Sequence, residues 1–133
     1  MDNKKIKIYI ISEDLIFIQL IKFMLNHYVS DTDIEEFNTF SELLNSENTI
    51  APDLILLDDI ISGATIMEVI SYLRLTRKLL STICFFSVDV YDIKTKAIAR
   101  GINYFYEKPF NPKIAIKDIA QNMNLKYRKY VYQ

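Results

Sequence analysis

The clearest structural signal in this chain is the segment Pro52-Asp53-Leu54-Ile55-Leu56-Leu57-Asp58-Asp59. Its apolar run is nearly unbroken and too short for an ordinary helix, which is typical of a strand covered on both faces. Asp58 follows the apolar run directly and therefore stands at the carboxyl end of the strand. Because open parallel α/β sheets bind their ligands at this edge, the segment predicts a functional carboxylate there.

Further strands and helices alternate on either side of this segment. Strands are predicted at residues 6–11, 32–37, 83–86 and 104–106. Helices are predicted at residues 15–26, from a capping box at 39–42 through about 44, at 66–73, at 91–100 and from 112 through about 123. Five such alternations indicate a parallel sheet with helices on both faces. We expect a single domain over residues 1–133, with a core at about 5–125 and a tail at 126–133.

Composition narrows the classes of function. The chain has 133 residues, a net charge of −1 and a pI near 5.8, whereas nucleic-acid backbones are held by clustered lysine and arginine. No apolar run approaches the length of a membrane span, and no signal peptide is evident. Cys84, the single cysteine, lies in an apolar run. We therefore expect a cytoplasmic protein with a buried structural thiol and no direct contact with nucleic acid or membrane.

Polar side chains follow four of the predicted strands. They are Glu13, Asp58, Ser87 and Lys108. If the strands are parallel, all four meet at one edge, where adjacent carboxylates repel by ~4 kcal/mol at about 4 Å. A hard cation such as Mg²⁺ or the Lys108 ammonium relieves that repulsion. Such a site is suited to a phosphoryl group, and aspartate carboxylates can accept one.

Four segments resemble, in order and spacing, the sequence blocks of a bacterial response-regulator receiver domain. They are residues 8–14 (IYIISED), 52–58 (PDLILLD), 85–88 (FFSV) and 101–110 (GINYFYEKPF). The resemblance covers roughly residues 5–123 and implies a flavodoxin-like (CheY-like) doubly wound sheet of five parallel strands in the order 2-1-3-4-5, with five helices. It also implies a signalling switch rather than an enzyme.

The same resemblance implies a set of phosphoryl contacts. Asp58 would receive a phosphoryl group from a sensor histidine kinase or a phosphotransfer protein. Ser87 and Lys108 would contact that group, and Phe105 would occupy the aromatic switch position. The bond between Lys108 and Pro109 would be the family's cis peptide. The switched surface would then contact a downstream effector protein or output domain.

A magnesium site is implied as well. Glu13, Asp58 and the backbone carbonyl of Ile60 would hold Mg²⁺, with Ser12 acting through a water, or Asp14, as a further ligand. The family usually has two adjacent acids after the first strand, and here the first of them is replaced by Ser12. Because serine brings no negative charge, we expect weak Mg²⁺ binding.

Two alternatives follow from these departures. Asp58, Ser87 and Lys108 are retained and favour the phosphorylation switch. Ser12 and the branched Val88 after Ser87 leave, as the alternative, a degenerate receiver that serves as a phosphorylation-independent interaction module. A nucleotide- or flavin-binding protein of similar topology is disfavoured because the chain has no glycine-rich phosphate loop. Asp59 and Asp89 are interpreted as solvated acids.

The first predicted helix has more apolar surface than one sheet face requires. Gln19, Lys22 and Asn26 form only a narrow polar stripe on it. The remaining surface is either simply covered or is part of a self-association surface, so a homodimer is one of the expected assemblies.

Overall fold

The computed structural model describes residues 5–46 and 50–125. Within them the strands are β1 (Ile6–Ile11), β2 (Thr32–Phe37), β3 (Leu54–Asp58), β4 (Thr82–Ser87) and β5 (Tyr104–Glu107). The helices are α1 (Leu15–Tyr28), α2 (Phe40–Leu44), α3 (Ile66–Ser71), α4 (Asp92–Ala99) and α5 (Pro112–Asn122). Every predicted element is present, with small shifts at the ends. The predicted tail at 126–133 lies outside the described residues.

The strands form one parallel sheet in the order β2-β1-β3-β4-β5. This is the predicted order, and it makes β3 the central strand. In the register of the sheet, Asp58 lies opposite Phe86 of β4, and Ser87 lies opposite Glu107 of β5. The carboxyl ends of β3, β4 and β5 therefore lie side by side, as the alternation of strands and helices predicts.

Two apolar clusters hold the sheet between its helices. One cluster joins the sheet to α1 and α5, and the other joins it to α3 and α4. All five residues of β3 are buried, as its apolar run predicts. Each fully buried large apolar side chain contributes roughly 1.5–3 kcal/mol relative to exposure. Cys84 is buried and free, as expected, and burial raises the pKa of its thiol.

Side-chain caps set where several helices begin. Asn111 caps α5 through the amide of Ile114, as predicted. Thr39 caps α2 through the amide of Glu42, but the Glu42 carboxylate accepts from the amide of Asn38 rather than from that of Thr39. The predicted capping box at α2 is therefore only half formed, because the second hydrogen bond goes to the preceding residue.

A complete capping box begins α3 instead. The Thr65 hydroxyl accepts from the amide of Glu68, and the Glu68 carboxylate accepts from the amide of Thr65. This capping box was not predicted, although a threonine followed three residues later by a glutamate is its usual sequence signal.

A π-helical turn (Tyr72–Thr76) continues α3 and was not predicted. It carries Arg74, whose guanidinium donates hydrogen bonds to the carbonyl oxygens of Leu79, Ser81 and Gly101. Gly101 ends the α4 segment with a φ of +112°, a conformation that side chains disfavour, and a Cβ built there would lie 3.0 Å from Arg74 Nε. Arg74 thus fastens the amino ends of β4 and β5 to the end of α3.

Helix α1 leaves several large apolar side chains uncovered. Leu15, Ile16 and Phe23 are 65%, 79% and 61% exposed, respectively. The broad apolar surface predicted for this helix is therefore only partly covered by the sheet, and self-association through it stays a prediction. Among the described residues, no helix is both long enough and apolar enough to span a bilayer.

Candidate functional site at the carboxyl edge of the sheet

The centre of the site is the carboxylate of Asp58, which has no exposed surface. One oxygen, Oδ1, accepts from Lys108 Nζ at 2.8 Å and from the Asp59 amide at 3.0 Å. The other oxygen, Oδ2, accepts from the Ser12 hydroxyl at 2.6 Å. Lys108 reaches the site from the end of β5, next to the cis peptide bond between Lys108 and Pro109, which was predicted.

Burial and pairing act in opposite directions on these two charged groups. Burial raises the pKa of Asp58 above its ordinary value and outweighs the hydrogen bonds from Lys108 and Ser12, which lower it. For Lys108, burial alone would lower the pKa, but the carboxylates of Asp58 and Asp59 together raise it. Lys108 is therefore a permanent cation of the site at neutral pH.

Asp59 is not the solvated acid that the sequence analysis expected. Its Oδ1 atom lies 2.9 Å from Lys108 Nζ, and its Oδ2 atom accepts from the Val88 amide at 3.2 Å. The Ser87 hydroxyl also lowers the pKa of Asp59. Burial alone would raise the pKa of Asp59, but these donors lower it overall. Its side chain is only 17% exposed, because the end of β4 and Lys108 close over it.

Asp89 was also expected to be solvated, and it too has a structural role. Its carboxylate accepts from the amides of Tyr91 and Asp92 at 3.1 and 3.0 Å, so it caps the first turn of α4. The Asp89 amide donates to the Ser87 hydroxyl oxygen at 3.1 Å. Ser87 therefore connects the end of β4 to this turn.

The predicted magnesium ligands are engaged elsewhere. The Glu13 carboxylate accepts from the Ser62 hydroxyl at 2.7 Å, and the carbonyl of Ile60 accepts from the Glu13 amide at 2.7 Å. Asp14 caps α1 with its carboxylate. Its amide donates to the Ser12 hydroxyl oxygen, so that this hydroxyl is used both as a donor and as an acceptor.

The structure does not show these residues arranged as a ready Mg²⁺ site. Across residues 5–46 and 50–125, no three histidine, cysteine, aspartate or glutamate side chains are grouped so that they could hold a metal ion. Mg²⁺ requires nearly octahedral oxygen ligands, whereas Asp58 is already paired with Lys108 and the Glu13 carboxylate binds Ser62. Weak Mg²⁺ binding stays a prediction of the sequence.

Phe105 lies next to the site, on β5. Its ring is half-buried and packs edge to face against Phe85, with a centroid distance of 5.8 Å. Lys94 Nζ of α4 lies 5.3 Å from the centre of the same ring. Phe105 is thus held between the sheet and α4, where a change in its rotamer would alter the α4 surface.

No family model and no curated protein matches the chain. A two-component response regulator from Clostridium difficile matches with a TM-score of 0.79 at 21% identity, over 90% of this chain and 97% of that one. The chemotaxis response regulator CheY4 of Vibrio cholerae matches with a TM-score of 0.75 at 18% identity, over 89% and 98% of the two chains.

The receiver domain of NtrX from Brucella abortus also matches in structure, with a TM-score of 0.74 at 19% identity, over 88% of this chain and 98% of that one. This chain has the receiver-domain fold. Because the identities are this low, the matches show a shared fold only. The activity of this chain has to be inferred from its site.

The structure therefore brings Ser12, Asp58 and Lys108 together directly, and Ser87 joins them through its carbonyl oxygen, which accepts from the Lys108 amide at 2.9 Å. Glu13 and Asp14 are directed to other partners. Sequence reasoning missed Asp59. The available signal was the pair of adjacent acids at the end of a buried strand, since one lysine commonly serves two neighbouring carboxylates.

Proposed function

We propose that this chain is a phosphoacceptor receiver module in which Asp58 takes a phosphoryl group from a phosphohistidine of a sensor kinase or a phosphotransfer protein. The observation that carries the proposal is the Asp58 carboxylate, fully buried at the end of the central strand and 2.8 Å from Lys108 Nζ. Phosphoryl transfer depends mainly on positioning and on neutralisation of charge. A carboxylate paired with a fixed cation supplies both.

The proposed step forms one bond and breaks one. An oxygen of Asp58 bonds to phosphorus while the P–N bond of the donor breaks. The electron pair of that bond remains on the imidazole nitrogen, which takes up a proton, and the product is an acyl phosphate on Asp58. Lys108 balances the charge of the phosphoryl oxygens. A hard cation would neutralise more of that charge when bound, but no part of the step is assigned to it.

The output of the switch is proposed to be a changed protein-interaction surface. New contacts from Ser87 and Lys108 to the phosphoryl group would shift the end of β4, and Phe105 lies against Phe85 on that strand. A phosphoryl group can shift a two-state element only through contacts that differ between the states. The partners would be an effector protein or an output domain.

A second candidate is an interaction module that works without phosphorylation. The observation that favours it is that both oxygens of Asp58 are already hydrogen-bonded, one of them by the Ser12 hydroxyl at 2.6 Å. In this case the chain would present one constant surface, and the exposed apolar side chains of α1 would be its natural centre.

Intact mass after incubation with acetyl phosphate separates the two candidates. With Mg²⁺ in the buffer, the wild type is expected to gain the mass of one phosphoryl group, and an Asp58→Asn variant is expected to gain none. If the wild type stays unmodified and its amide NMR signals at Asp58, Ser87 and Lys108 do not move with beryllofluoride and Mg²⁺, phosphorylation is excluded and the second candidate is supported.

A further inference from the structure

The second acid of the strand end, Asp59, occupies a set of anion-binding donors. The Lys108 ammonium lies 2.9 Å from its Oδ1 atom, and the Val88 amide lies 3.2 Å from its Oδ2 atom. Ser87 directly precedes Val88 at the end of β4. An ammonium and an amide that converge on one carboxylate form a site for an anion with several oxygens. In this structure, that anion is a side chain of the chain itself.

These donors are the ones that a phosphoryl group on Asp58 would require. Lys108 already bridges the two acids, at 2.8 Å from Asp58 and 2.9 Å from Asp59. Asp58 and Asp59 are consecutive residues, and the Asp59 amide donates a hydrogen bond to Asp58 Oδ1. The Asp59 carboxylate and a phosphoryl group on Asp58 are both negative, so they would repel each other if they contacted the same donors.

We infer that Asp59 is a built-in competitor of the phosphoryl group, holding the Lys108 ammonium and the Val88 amide until phosphorylation of Asp58 displaces it. This inference rests on the proposed function and assigns Asp59 a positioning role. The side chain of Asp59 is 17% exposed and borders solvent, whereas Asp58 has no exposed surface.

Displacement of Asp59 would carry the signal outward. When the carboxylate leaves, the Val88 amide exchanges Asp59 for a phosphoryl oxygen, and the neighbouring Ser87 hydroxyl gains one as a partner. These two residues lead directly into α4, and the side chains of Val88 and Tyr91 on that connection are 65% and 87% exposed. The connection between β4 and α4 is therefore the surface that changes first.

The test compares initial rates of phosphorylation by acetyl phosphate, followed by intact mass. Asp59→Ala vacates the donors and Asp59→Asn removes only the charge. Asp89→Asn is the matched control, because it removes the same charge nearby while its amide oxygen still caps α4. If Asp59 occupies the donors about nine-tenths of the time, the rate rises about tenfold in Asp59→Ala, rises less in Asp59→Asn and stays unchanged in Asp89→Asn.

A spectroscopic readout accompanies the rates. The Val88 amide proton is expected to shift upfield in Asp59→Ala, where its acceptor is lost, and to return downfield when beryllofluoride is added.

Equal rates in the wild type and Asp59→Ala would overturn the inference alone and leave the proposed function standing. A rise of the same size in Asp89→Asn would overturn it as well, because net charge would then explain the effect. If no variant is phosphorylated and none responds to beryllofluoride, the inference and the proposed function fail together.

Discussion

The Ser12 hydroxyl donates a 2.6 Å hydrogen bond to Oδ2 of Asp58 across 46 positions of sequence. A neutral group thus contacts the buried carboxylate at the position where receiver domains usually have an acid. Lys108 balances the charge of Asp58 and pairs with Asp59 as well.

An acid at position 12 should strengthen Mg²⁺ binding. We expect a Ser12→Asp variant to bind Mg²⁺ about tenfold more tightly than the wild type, because a second carboxylate adds both charge and a ligand. Isothermal titration with Mg²⁺, or the line broadening of amide signals by Mn²⁺, measures this. Ser12→Ala is the control and should bind no better than the wild type. Equal affinity in Ser12→Asp and the wild type would show that position 12 does not limit binding.

Removing the shared cation should destabilise the fold. In Lys108→Gln, the carboxylates of Asp58 and Asp59 lose their common partner, and we expect the free energy of unfolding to fall by roughly 2 to 3 kcal/mol. Urea denaturation at neutral pH measures the loss. In an Asp58→Asn background the same substitution should cost less, since only one carboxylate is then left unpaired. A loss of equal size in both backgrounds would mean that Lys108 stabilises the fold without pairing with Asp58.

The contribution of Asp59 to stability should disappear in acid. Because its pKa is lowered in the folded protein, its ionised form stabilises the native state above the unfolded-state pKa of about 3.9, and this stabilisation is lost as pH falls through the folded-state pKa. We expect Asp59→Asn to lower the free energy of unfolding by about 1 to 2 kcal/mol at pH 7. Urea denaturation from pH 7 downward should show this difference shrinking below about pH 4. A difference that stays constant over that range would contradict the assignment.

Arg74 should contribute to the stability of the fold and not to the phosphorylation of Asp58. Its guanidinium donates hydrogen bonds of 2.6 to 2.9 Å to carbonyl oxygens near the amino ends of β4 and β5. These contacts lie away from Asp58. We expect Arg74→Met to lower the free energy of unfolding by about 3 kcal/mol, because the aliphatic stem remains while the carbonyl oxygens lose their donors. Urea denaturation measures the loss, with Arg100→Met, at an exposed position, as the control. A phosphorylation rate that falls with Arg74→Met in the folded protein would contradict its purely structural role.

Much of the fold could be predicted from the sequence because each element carries its own local signal. The apolar run that ends at Asp58 identified the central strand, and Asn111 with Pro112 identified the start of α5. The order of the sheet required the resemblance in addition, since periodicity does not encode which strands are neighbours. The π-helical turn around Arg74 was not predicted. The Arg74 side chain bonds the carbonyl oxygens of Leu79, Ser81 and Gly101. These residues fall in loops or are distant in sequence, so no local pattern indicates the turn.

The parallel α/β fold and the edge that carries Asp58, Ser87 and Lys108 are encoded locally, because strand periodicity and strand ends are local properties of the chain. The partner of each side chain at that edge depends on the packing of distant segments. That packing directs Glu13 to Ser62, Ser12 to Asp58 and Asp59 to Lys108. These pairs join residues more than 45 positions apart. At a strand end the rotamer follows whichever donor the neighbouring strands bring within hydrogen-bonding distance, and no local pattern records that choice.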